Sequence, residues 1–203
     1  DRCKATAKLA GASPLRRLLQ AGRVWSRADD APPPLVVSGF HHLEIAEELR
    51  GLGNVDLVRN RRWRSGRSGS FVRAIRARRG RDLCLAPVDV PLVPGTVFDA
   101  LHEAWISAGA PPRGWLAPKN APVSSGAQGT PRFGHPLVLG RELLEEFSTR
   151  VEREGPDMPL RSLRATAEPL LSLEVDSPRI LDDLDTPQDL ELLRSISTQF
   201  SET

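Results

Sequence analysis

Two acidic places in this chain have the residue types and spacing of a catalytic centre. The first is Asp89, in the run Cys84-Leu85-Ala86-Pro87-Val88-Asp89-Val90-Pro91-Leu92-Val93, where an apolar stretch leads to one carboxylate and then a proline. A short apolar run bounded by breakers suits a strand covered on both faces, and open α/β sheets bind ligands at the carboxyl ends of such strands. Asp89 then sits at a site; the plainer alternative makes it the cap of a turn before a helix starting near Thr96. The second place is Asp182-Asp183-Leu184-Asp185, three carboxylates whose repulsion calls for a divalent cation or backbone donors. Its plainer alternative leaves Asp182 and Asp183 in water and uses Asp185 as a cap. The following helix opens clearly: Thr186 is placed to accept the Asp189 amide, Pro187 suits the first helical position, and Asp189 suits the positive end of the dipole.

Two further features carry chemistry less specifically. Gly134-His135-Pro136 closes a polar Gly/Ser/Pro loop, Ala121 to Gly134, long enough to serve as a lid. One histidine without a nearby Ser/Asp partner gives no triad signal, so His135 either touches substrate or hydrogen-bonds the loop. Ten arginines fall between Arg59 and Arg81, interleaved with Trp63 and Phe71. They suit a nucleic-acid surface, or equally the solvated side of a helix whose apolar side is Phe71, Val72 and Ile75. The second reading is preferred, and nucleic acid is not the expected partner.

The elements that must position these residues alternate in type, the order of a mostly parallel sheet wrapped by helices. Helices are expected over Pro14–Gln20, Glu44–Leu52, Phe71–Arg78 with Ser70 as its cap, Val97–Ala108, Glu142–Glu152, Leu160–Ala165 and Pro187–Ser195. Strands are expected over Leu35–Gly39, Asp56–Val58, Asp82–Pro87, Trp115–Ala117, Pro136–Leu139 and Leu171–Val175. A chain of 203 residues with 39% hydrophobic content suits one α/β domain with a sizeable core. The formal net charge of +2 demands neither nucleic acid nor an anionic membrane. No apolar run approaches the roughly 18 residues of a membrane span, and the opening lacks a signal-peptide core, so a cytoplasmic protein is expected. Cys3 and Cys84 show no zinc spacing and read as free thiols, Cys84 as a plain core residue.

Five segments, taken together, resemble the cytidylyl- and guanylyltransferases of molybdenum-cofactor maturation, the MobA/MocA-like NTP transferases. They are Lys4-Ala5 ahead of a helix, the run from Asn60 to Ser70, Val88-Asp89-Val90-Pro91-Leu92-Val93, Gly134-His135-Pro136-Leu137-Val138, and Asp183-Leu184-Asp185-Thr186-Pro187-Gln188-Asp189-Leu190. The resemblance implies a single three-layer, Rossmann-like nucleotidyltransferase domain over residues 1–203. It implies Mg²⁺-dependent transfer of a nucleoside monophosphate from CTP or GTP to a phosphorylated acceptor, molybdopterin by family, with a molybdoenzyme as eventual recipient. Asp89 matches the family's magnesium aspartate in its D-x-P motif. Asp185, in D-x-D-T-P, matches a second ligand and is preferred to Asp183.

The other roles follow by motif. Lys4 matches the lysine ending the phosphate-binding signature, and with Asp89 forms the implied catalytic pair. Gly66, Ser68 and Ser70 join them at the nucleotide, and Gly134, His135 and Pro136 match the acceptor-side motif. The sequence departs from the family at Val90, commonly Gln, and Gly69, commonly Ser. The family's first strand and glycine-rich turn have no counterpart here, so the expected sheet lacks an interior strand. The alternatives are a catalytically silent relative that delivers cofactor and, less favoured, a nucleic-acid module built on Arg59–Arg81.

Overall fold

The computed structural model describes residues 3–27, 30–120 and 131–199. Local chemistry sets most element ends. Helix α1 (Pro14–Ala21) starts where the Ser13 hydroxyl accepts the Arg16 amide at 3.2 Å, with Pro14 preset for the first turn. Pro32 to Pro34 keep the chain extended into β1 (Leu35–Ser38). Then come α2 (His42–Leu49), β2 (Asp56–Arg59), α3 (Ser68–Ala77) and β3 (Leu83–Leu85). Helix α4 (Gly95–Ser107), β4 (Trp115–Asn120), β5 (Arg132–Phe133) and β6 (Leu137–Leu139) follow, and α5 (Arg141–Glu154), β7 (Leu170–Val175) and α6 (Pro187–Gln199) complete the order.

Two differences from the expected elements bear on function. Helix α3 begins at Ser68 behind Arg67, so Ser70 lies inside its first turn rather than capping it. Strand β3 stops at Leu85, because Pro87 has no amide to offer a ladder, and Asp89 lies on the turn beyond. Residues 121–130 of the expected lid loop lie outside the described residues, and β5 occupies part of its remainder.

The described strands form two sheets. In one, β1 and β2 run parallel, from Leu35 opposite Asp56 to Ser38 opposite Arg59. In the other, β7 pairs parallel along the whole of β4, while β6 lies antiparallel between β3 and β4, and β5 folds back on β4. This second sheet is mixed because β4 returns to β5 and β6 without a crossover helix, and such a connection leaves strands antiparallel. Between the unpaired edges of β1 and β3 lies a cavity of about 400 Å³ lined by Leu35, Val36, Val37, Leu85 and Val88.

Alternation along the strands feeds a helix layer on each face. Leu116 and Val138 join Phe98, Leu101 and Trp105 of α4, while Trp115, Ala117, Leu137 and Leu139 join Leu143, Leu144 and Phe147 of α5. Phe147 is fully buried, and truncating such a side chain to Ala costs about 3–5 kcal/mol. The buried indole N–H of α4 is satisfied by Asp82 Oδ2 at 3.1 Å from Trp105 Nε1. Among the described residues no helix is long and apolar enough to cross a membrane.

Candidate active site

The Asp89 turn is closed by the Val90 amide donating to Pro87 O at 3.1 Å. Helix α4 carries no side-chain cap, and Asp89 does not cap it. Instead the turn is tied to the acidic segment far along the chain: the Leu184 amide donates to Asp89 O at 2.7 Å. Leu184 is buried with Leu9 and Leu193, which anchors the segment between its carboxylates. Two of the four acids in and after that segment are already spent. Asp182 takes Arg179 Nη1 at 2.6 Å, and Asp189 accepts the amides of Thr186 at 2.6 Å and Asp185 at 3.0 Å while Thr186 Oγ1 accepts the Asp189 amide. The Thr186 cap read in the sequence is therefore formed, and the Asp189 carboxylate returns the bond in a capping box that was not expected.

Asp183 and Asp185 remain for chemistry. Asp185 meets Lys4 Nζ at 2.9 Å, an exposed ion pair joining the two ends of the chain. The Asp183 carboxyl is raised above its ordinary range, first by partial loss of water and then by the charges of Asp89 and Asp185, with His135 opposing. His135 is held below its ordinary value by burial, against the pull of Asp89 and Asp183. Its Nδ1 is buried without a hydrogen-bond partner among the described residues. Among the described residues the Asp89 and Asp183 carboxylates have neither a hydrogen-bond donor nor an ion-pair partner.

His135 is fixed from both sides. Its amide donates to Ile180 O at 3.0 Å, and the Gly134 amide donates to Pro118 O at 3.0 Å. A Cβ on Gly134 would lie 2.2 Å from Ile180 O, so only glycine fits this approach. The result is a site in which Asp89, Asp185 and His135 all act on the charge of Asp183, with the Lys4 ammonium on Asp185. Oxygen-rich and short of cations, it fits a hard divalent ion that binds through one or two carboxylates and shares phosphate oxygens with a substrate.

The sequence matches the model of the MobA-like NTP transferase domain over residues 1–180. The chain belongs to that family. No functionally curated protein sequence matches it. Among solved structures it is similar to 2-C-methyl-D-erythritol 4-phosphate cytidylyltransferase from Thermus thermophilus, with 21% identity, a TM-score of 0.70, and coverage of 96% of this chain and 94% of that one. Molybdopterin-guanine dinucleotide biosynthesis protein A from Archaeoglobus fulgidus gives 14% identity, a TM-score of 0.61, and coverage of 97% and 91%. Rv0371C from Mycobacterium tuberculosis H37Rv, solved in complex with manganese, gives 20% identity, a TM-score of 0.67, and coverage of 96% and 92%. At these identities the structures establish the fold, and the family match makes this chain a nucleotidyltransferase.

The residues expected at the nucleotide separate into two groups. Asn60 is buried; its amide donates to Ser38 O at 2.7 Å, its Oδ1 accepts the Arg62 amide at 3.1 Å, and its Nδ2 donates to Ser70 Oγ at 3.1 Å. Ser70 and His135 line the same cavity, as do Pro87 and Val88, the two residues leading to Asp89. Ser68 is buried and its hydroxyl donates to Met158 O, while Gly66 adopts φ +124° with Pro156 O 2.5 Å from where a Cβ would stand. Ser68 and Gly66 thus hold the loop in place, and Ser70 is the residue of the three with access to the cavity.

Sequence reasoning ranks Asp183 behind Asp185 and gives Asn60 no role of its own. Asp183 is visible only as one of several acids, although Arg179 three residues before Asp182 hints that Asp182 is the one to be neutralised. Asn60 at the end of β2 gives no signal beyond its place in the motif. Of the ten arginines, Arg76 pairs with Glu152 on the exposed face of α3, as the solvated-helix reading expects, whereas Arg78 lies just past the helix, mostly buried against Asp56 and Pro33 O. Both cysteines are free, and burial raises the Cys84 thiol well above its ordinary value, as suits a core residue.

Proposed function

We propose that this protein transfers a nucleoside monophosphate from CTP or GTP to a phosphorylated acceptor, with Mg²⁺ at Asp89, Asp183 and Asp185 and molybdopterin as the acceptor. The observation that carries the reading is the backbone bond from Leu184 to Asp89, which brings the acidic segment to the Asp89 turn, near enough that Asp89, Asp185 and His135 all act on the charge of Asp183. The acceptor is proposed from the motif resemblance and from the likeness to molybdopterin-guanine dinucleotide biosynthesis protein A, and a molybdoenzyme is the corresponding recipient.

In the reaction an acceptor phosphate oxygen bonds to the α-phosphorus and the bond to the β-phosphate bridging oxygen breaks, releasing pyrophosphate. Mg²⁺, when bound, neutralises the phosphates that the two reactants bring together. Lys4 moves from Asp185 to the departing pyrophosphate, exchanging one anionic partner for another. His135, kept neutral by burial, donates or accepts one hydrogen bond to the acceptor without adding a second cation. Ser70, aligned by Asn60, contacts the base. Gly134 and Pro136 hold His135 at the rim, and the gain in rate comes from positioning and charge, with no covalent enzyme intermediate.

The test is Asp89→Asn, assayed as Mg²⁺-dependent pyrophosphate release with CTP or GTP and a molybdopterin acceptor. Loss of one electrostatic contact of this kind costs about 10²–10³ in turnover. The fold should be preserved, since the substitution leaves no cavity. Wild-type turnover in a folded Asp89→Asn protein removes the metal assignment.

A further inference from the structure

A second cluster of ligating atoms lies apart from the carboxylate site. Cys3, His41 and Glu44 bring one ligand atom each to within 4.8 Å of one another. They come from separate parts of the chain: Cys3 precedes the first helical turn (Lys4–Thr6), His41 stands at the N-cap position of α2, and Glu44 lies in its first turn. We propose that these three residues form a binding site for a borderline-soft divalent ion such as Zn²⁺, with a fourth position open to solvent.

The chemistry of the donors separates this site from the hard-cation site. Thiolate and imidazole favour Zn²⁺ and related transition metals, whereas Mg²⁺ takes oxygen ligands in octahedral geometry and does not compete for sulfur. Three protein ligands plus a water is the pattern of zinc sites that keep an open position. Zn–S and Zn–N bonds of about 2.3 and 2.0 Å place tetrahedral donors about 3.5 Å apart, so the present separations close with small side-chain movements.

The surroundings hold the donors ready. Cys3 is 5% exposed and packs among Ala5, Leu15, Ile45 and Val36, which excludes water from one side of the ion. Its carbonyl is engaged by the Thr6 amide at 3.2 Å, fixing the backbone that carries the thiol. His41 Nδ1 and Glu44 Oε1 are already 2.7 Å apart, and Phe40 stacks edge-on to the imidazole with centroids 4.8 Å apart. Glu44 remains half-exposed, which supplies the entry path. Binding displaces the thiol proton to solvent, leaving thiolate, neutral imidazole and carboxylate on the ion.

The experiment is a Co²⁺ titration of the whole protein in excess Mg²⁺, which occupies the carboxylate site, followed by visible and near-ultraviolet absorption. One equivalent should bind with tetrahedral ligand-field bands and a thiolate-to-cobalt charge-transfer band, and Zn²⁺ should displace it. Cys3→Ser should abolish the charge-transfer band, and His41→Ala should weaken binding about 100-fold or more, whereas Cys84→Ser should change neither. His41→Ala keeps the test valid if Cys3→Ser fails to fold, because His41 lies at the partly exposed start of α2. A spectrum without charge transfer, a band that survives Cys3→Ser, or wild-type affinity in His41→Ala overturns the proposal.

Discussion

Asp183→Asn tests the electrostatics of the carboxylate rim more sharply than any other single change, because it should improve the protein and disable it at once. The Asp183 carboxyl has its pKa raised in the fold, by lost water and by Asp89 and Asp185. For an acid a raised native pKa means the unfolded chain ionises first as pH rises, so ionisation of Asp183 subtracts from stability above its unfolded value. An amide of the same shape carries no such charge. Asp183 is only partly buried, so solvent screening limits the gain to about 0.5 kcal/mol, or about 1–2 °C in Tm for a chain of this size. The advantage should shrink as pH falls through the native pKa, where the aspartate is itself protonated. The same change removes a ligand from the proposed ion, and turnover should fall about 10²–10³-fold. Thermal melts of the metal-free proteins from acid to neutral pH, set beside pyrophosphate release, measure both effects. A variant less stable than the parent at neutral pH, or one with parental turnover, refutes the account of Asp183.

Three further outcomes follow. Lys4→Ala should cost at most about 1 kcal/mol in urea unfolding, because its pair with Asp185 is exposed, yet should lower turnover far more than that figure suggests. Gly134→Ala drives a methyl into Ile180 O and should destabilise by about 1–3 kcal/mol in the same assay, with His135 displaced. His135 has a depressed native pKa, so the native state binds fewer protons than the unfolded chain and stability should fall as pH drops below about 6.5. His135→Gln should flatten that part of the pH–stability curve, and an unchanged slope would assign it to another group.

How legible the protein is in its sequence varies with the range of the interaction. The start of α1 at Ser13-Pro14 and of α6 at Thr186-Pro187 can be read because a cap and its amide partner lie within three residues. Strand β3 ends two residues before the expected position, since apolar content continues through Ala86 and Pro87 while the ladder cannot. The mixed sheet is not legible because strand direction depends on which strand β6 finds, and Val138 faces both Cys84 and Leu116 only once the chain has folded.

The sequence by itself determined most of the order of elements, the family, and the two acidic segments proposed to bind a cation, because caps, breakers and motif residues act over a few positions. Only the tertiary structure decided which acids remain available. Arg179 and the backbone amides around Asp189 occupy two of them, Lys4 reaches Asp185 across 181 positions, and Leu184 is hydrogen-bonded to Asp89. Charge neutralisation and burial depend on distance in space, and spacing along the chain does not encode that distance.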